Sequence, residues 1–210
     1  MNIYIDFQFK IKKDEVISKL LYYNKFLKPN ECNLIFNSLL PVLYEYANPY
    51  GVFKSEKNSK ISVTDKYDYT IFCAVTLGNS ISKKIDELFD KKDIKSALVL
   101  DSMAVFYLFE VASQLFEKIY KKASKLNLGL TPRISPGNKN FPLKYQKYII
   151  DILKNEGPLD IKAEESFMLN PIYSMAYLYG ADSKLALNKL DHSCDNCKNK
   201  DSCNIKKGLI

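Results

Sequence analysis

Histidine is almost missing from this chain. Its one copy, His192, lies near the end, so a Ser-His-Asp or Cys-His hydrolase has no base to work with. Glycine is scarce too, at seven copies. Neither G-x-G-x-x-G nor G-x-x-x-x-G-K-[ST] occurs, which removes the usual dinucleotide and phosphate loops. The five cysteines are an odd number, and three of them crowd the last stretch of the chain. That pattern argues for metal or thiol chemistry in a reducing cytosol rather than a disulfide frame. Residues 1–13 alternate apolar and polar and then turn basic, without the apolar core and small-residue cleavage site of a signal peptide. No apolar run is expected to be long enough to span a bilayer. The expected location is therefore cytoplasmic, with no membrane partner.

What is present supports a folded domain. The 210 residues suffice for one domain of ordinary-to-large size or two small ones, and 47% hydrophobic against 26% charged content allows a sizeable core. A net charge of +7 raises the question of nucleic acid. The lysines, however, are interleaved with acids, as in Lys83-Lys84-Ile85-Asp86-Glu87 and Lys91-Lys92-Asp93. Without a sustained basic block they read as a solvated surface, and no nucleic-acid partner is expected.

Periodicity places the elements. Residues 2–9 carry Ile3, Ile5, Phe7 and Phe9 on one face, a half-buried strand. Asp14 is placed to cap a helix through Tyr23, and a second helix follows Pro29 to Tyr46 with Pro41 as a kink or break. Residues 50–55, 61–63 and 69–77 read as strands, the last apolar on both faces and so central. Helices are expected over 80–90, over 93–126 as the longest, and over 142–155. Strand-like pieces follow at 166–169 and 173–179, and 185–190 reads as a strand or a helical turn.

Three features carry chemistry. The first is Thr131-Pro132-Arg133-Ile134-Ser135-Pro136-Gly137. Each proline pushes the residue before it to extended geometry, and Pro136-Gly137 suits a type II turn. The product is a stiff, extended ledge carrying Arg133. It is either a binding fork or a connector whose arginine caps a helix or pairs with a surface acid. The second is the pair Asp101 and Glu110 on the longest helix. Nine residues apart, they point to opposite sides and need separate partners. Glu110 is placed for a ligand ammonium or a protein cation, Arg133 among the choices, and Asp101 for backbone or a tyrosine hydroxyl. The third is Cys194, Cys197 and Cys203, a C-x2-C-x5-C run that supplies three thiolates for zinc or an iron–sulfur cluster. His192, Cys73 and Cys32 are open as a fourth ligand.

Several of these residues together resemble the activation-domain family of vitamin B12-dependent methionine synthase, in its short stand-alone form. The matching pieces are Glu15-Val16 with Lys19-Leu20-Leu21-Tyr22-Tyr23, and Thr76-Leu77-Gly78 with Asp93, Ala97, Leu100-Asp101 and Glu110. To these add Arg133-Ile134-Ser135-Pro136-Gly137, and Glu165-Ser166-Phe167-Met168 with Pro171 and Ser174. The resemblance implies an α+β fold, a curved and mainly antiparallel sheet with packed helices, over residues 1–190, followed by a cysteine-containing tail at 191–210. It implies S-adenosylmethionine (AdoMet) as cofactor. Arg133 would hold its carboxylate, Glu110 its polar end, and Ser135, Pro136, Gly137 and Asn138 its adenosine side. The family's tyrosine after Pro-Gly is Asn138 here, and Leu185 stands where full-length enzymes carry another tyrosine.

The implied function is to support reductive remethylation of the cobalamin of a corrinoid-dependent methionine synthase. That enzyme is the partner, together with an electron donor, and the chain would be a component of this methyltransferase system. The alternative is a metal- or iron–sulfur-binding accessory or electron-transfer protein for a corrinoid methyltransferase that no longer binds AdoMet.

Overall fold

The computed structural model describes residues 2–57, 59–138, 140–155 and 159–191. Its centre is strand β3 (Tyr69–Thr76), apolar and buried over nearly its whole length. β3 pairs antiparallel with β2 (Tyr50–Lys57) on one side and β7 (Ser174–Asp182) on the other, in registers such as Val52↔Ala74 and Cys73↔Tyr177. The short strands β1 (Asn2–Tyr4) and β4 (Gly129–Leu130) complete a sheet of order β1-β2-β3-β7-β4. A separate hairpin joins β5 (Lys162–Ala163) and β6 (Leu169–Asn170).

Period-2 alternation splits the strands between two cores. Ile71, Cys73, Val75, Tyr177, Tyr179 and Ala181 face the larger one. It is closed by α1 (Lys13–Tyr23), α2 (Pro29–Tyr46), α3 (Ser80–Asp90) and above all α4 (Ile94–Lys125). Phe72, Ala74, Ala176 and Leu178 face the smaller core, under α5 (Tyr145–Lys154) and the hairpin. The result is the expected α+β arrangement of an antiparallel sheet between helical layers.

α4 begins where Asp93 accepts from the Ser96 amide, as an N-cap should. Its buried stripe includes Leu100, Met103, Tyr107, Val111, Leu115 and Ile119. By length and composition α4 is apolar enough to cross a bilayer, which corrects the expectation that no such run exists. That stripe is instead spent on protein, against α2, α3 and the sheet. Asp101 and Glu110 break the run in sequence without breaking its packing.

Other departures have local causes. The first strand stops at Tyr4 because the chain then leaves the sheet and crosses α4, where Phe9 packs edge-on to Tyr107 with centroids 4.9 Å apart. The strand expected at 61–63 is a turn closed by the Thr64 amide on the Ile61 carbonyl at 2.8 Å, with Ile61 buried in the smaller core. The piece expected at 166–169 holds the hairpin turn, where the Phe167 amide donates to Glu164 O at 2.9 Å. Asp14 lies inside α1, whose cap position is Lys12. Pro41 sits within α2 without ending it.

Burial makes the fold sensitive to alkali. It pushes the Tyr50 and Tyr107 phenols up to about 12, and those of Tyr173, Tyr177 and Tyr179 up as well. In the unfolded chain each titrates near ~10. The folded state therefore holds more protons above that pH, and the stability these phenols contribute is lost as pH rises from about 10 towards 12 and beyond. Urea unfolding across that window, read with tyrosine absorbance, is expected to show falling stability while these phenols stay protonated.

Candidate functional site

Beyond β4 the chain continues along the edge of β7. The Thr131 amide donates to Gly180 O, and Ile134 exchanges both hydrogen bonds with Leu178 at 2.9 Å. Thr131 and Ile134 are three residues apart, while Gly180 and Leu178 are two apart, so Pro132-Arg133 forms a bulge. Proline suits it because its missing N–H leaves no ladder partner unpaired. A bulge re-aims a side chain. Ile134 joins the smaller core, and the Arg133 side chain turns to the face that carries Tyr177 and Tyr179.

Arg133 is the only arginine among 31 basic residues. Its side chain is 7% exposed, against the ledge expected from the two prolines, and its guanidinium lies 4.7 Å from the centroid of Tyr177. Nε and one terminal nitrogen both donate to the Asp191 carboxylate, and the Arg133 amide donates to Asp191 O at 2.7 Å. The Tyr179 hydroxyl donates to the same carboxylate. Burial works against the guanidinium charge, but Tyr177, Tyr179 and Asp191 outweigh it and the net shift is upward. Burial pushes the neighbouring Cys73 thiol well up, so it is an inert thiol rather than a nucleophile. The Tyr177 hydroxyl is buried with no hydrogen-bond partner among the described residues.

The arginine thus pairs with an acid, as one of its two readings allowed, although the pair is buried. Sequence reading missed Asp191, Tyr177 and Tyr179. The available signal was a lone arginine beside a strand with tyrosines two apart. The rest of the loop forms a tight turn. Gly137 has φ +93°, its amide donates to Phe141 O at 2.6 Å, and the Phe141 amide donates to Asn138 O at 3.0 Å. Ser135 and Pro136 are half-buried, and Asn138 is exposed.

Glu110 does not meet Arg133. It accepts from Gln114 Nε2 at 2.9 Å, and Gln114 also clamps Gln8 through both backbone groups at 2.8 Å. Asp101 accepts from the Tyr173 hydroxyl at 2.6 Å, the tyrosine partner expected for it. His192, Cys194, Cys197 and Cys203 lie outside the described residues. Cys32 and Cys73 are buried free thiols, and among the described residues no group of three His, Cys, Asp or Glu is placed to hold a metal.

A separate cavity of about 680 Å³ opens where β2 begins and β3 ends. Asn48, Tyr50, Gly78, Asn79, Asp160 and Lys162 are among the residues that line it. The Tyr50 hydroxyl there is buried beside the Asp160 backbone. Of this lining the family resemblance had drawn on Thr76, Gly78 and Pro171.

No family model matches the chain, and no curated protein does. Among solved structures the chain is similar to a crystal structure of the MetH reactivation domain bound to AdoHcy. The TM-score is 0.57 and the identity 15%, over 85% of this chain and 74% of that one. At that identity the likeness is one of fold, and the chain has the fold of a methionine synthase reactivation domain.

Glu110 is bound through an acceptor oxygen that glutamine also has. Glu110→Gln is therefore expected to change unfolding free energy by no more than about 0.5 kcal/mol, checked by urea denaturation. A larger loss would show that the carboxylate charge, not the hydrogen bond, holds the N-terminal segment to α4.

Proposed function

We propose that this protein binds an AdoMet-type ligand at the Arg133–Asn138 edge and serves a corrinoid-dependent methionine synthase as its reactivation module. The observation that carries the reading is Arg133 itself. It is a buried fork, stacked on Tyr177 and set by a bulge, in a fold otherwise known with AdoHcy bound. A carboxylate fits this fork, because that of Asp191 already sits on it in bidentate contact. The resemblance gives Arg133 the ligand carboxylate, Glu110 the polar end, and Ser135, Pro136, Gly137 and Asn138 the adenosine side.

AdoMet brings its own activated methyl group at the sulfonium, so the protein need supply no acid or base. The work left to this chain is to bind, orient and exclude water. A chain with one histidine and phenols held protonated by burial suits that division. Cobalamin and the electron come from partners, a corrinoid-dependent methionine synthase and an electron donor. Zinc or an iron–sulfur cluster on Cys194, Cys197 and Cys203 belongs to the same proposal, and metal analysis after anaerobic purification tests it.

Calorimetric titration with AdoMet tests the binding. Arg133→Lys keeps the charge but loses the fork. Loss of a charge-assisted hydrogen bond costs about 1.5–3 kcal/mol, so affinity should fall about ten-fold or more. Asn138→Tyr, at an exposed position, should tighten binding by restoring an aromatic contact while leaving the fold unchanged. No heat at millimolar AdoMet, with or without the methionine synthase present, overturns the reading.

A further inference from the structure

Past β7 the chain runs back over the sheet edge as residues 183–190, nearly all of them exposed. This strap has no core of its own. Leu187 and Leu190, the side chains that packing would claim, remain 51% and 46% exposed. Its attachments are thin. The Tyr120 hydroxyl donates to Leu187 O at 3.1 Å, and Lys189 meets Glu117 at 2.6 Å in a pair open to solvent. A surface pair of that kind contributes little. Gly129 lies directly beneath, where an added Cβ would come within 2.4 Å of Leu185 O and 2.6 Å of Ala186 O. Among the described residues the strap's main anchor is the part-buried Asp191, whose carboxylate meets the Arg133 guanidinium and the Tyr179 hydroxyl and whose carbonyl accepts from the Arg133 amide.

A segment with so few buried contacts opens locally without unfolding the domain. What it carries to the core is a carboxylate. The buried guanidinium tolerates the exchange of one carboxylate for another, because its charge is compensated in both states. Beside it the Tyr177 hydroxyl is buried with no hydrogen-bond partner among the described residues.

We infer that residues 183–191 form a self-docked competitor. Asp191 occupies on Arg133 the place of the incoming ligand's carboxylate, and the strap lifts when that ligand binds. This rests on the reading of Arg133 as the carboxylate grip for AdoMet. The apparent affinity of the intact chain is lowered by the fraction of time the strap is closed.

The test compares AdoMet dissociation constants, by calorimetry on the full chain, for wild type, Asp191→Ala and Gly129→Ala. Asp191→Ala removes the competing carboxylate. Gly129→Ala leaves Asp191 in place and forces the strap from its seat. Both are expected to bind about ten-fold tighter or more. Far-UV circular dichroism should be unchanged, and the Arg133 amide should exchange faster in Gly129→Ala. If Asp191→Ala fails to fold, Gly129→Ala decides alone. Equal or weaker binding in the folded variants, with wild type binding AdoMet, overturns the strap and makes Asp191 a structural clamp. Binding by none of the three overturns the AdoMet reading itself, and the strap with it.

Discussion

The antiparallel pairing of β3 with β7 is the contact on which the rest depends. The two strands lie about a hundred residues apart in sequence, and each feeds alternate side chains to two cores. A slip of one residue would exchange Cys73, Val75, Tyr177 and Tyr179 for Phe72, Ala74, Ala176 and Leu178. It would leave the Arg133 bulge without its tyrosine platform. The register that closes the larger core therefore also builds the candidate site.

Electrostatics adds a second constraint. A guanidinium at 7% exposure has given up most of its water and has to face an anion. The stacked ring of Tyr177 recovers part of the loss, and Asp191 supplies the negative charge. The phenols of Tyr177 and Tyr179 are held neutral by burial and do not act as the anion. Arg133 thereby holds the Asp191 carboxylate at the edge of β7.

Much of the fold was legible in residue order. Helix periodicity located α1 to α5, and the doubly apolar run at 70–77 marked the central strand. Asp93 announced the start of α4. The failures were places where one pattern serves two structures. Alternation at 2–9 suits a strand, yet Phe7 and Phe9 satisfy it by packing on α4 outside the sheet. Ile61 and Val63 alternate as strand residues do, but a turn ties the Ile61 carbonyl to the Thr64 amide.

The site divides along the same line. From the sequence alone it follows that the chemistry is sparse. Residue order singled out one histidine, one arginine between two prolines, and two acids isolated on an apolar helix. Residue order also set the positive φ of Gly137, because glycine acts locally. Only tertiary structure decided the pairings. Arg133 and Glu110 both lie within reach of several partners along the chain. The Pro132-Arg133 bulge beside β7 sent Arg133 to Asp191, 58 residues away, and the crossing of the N-terminal segment gave Glu110 to Gln114. Those choices depend on which faces of distant strands and helices meet, and sheet register sets that, not local sequence.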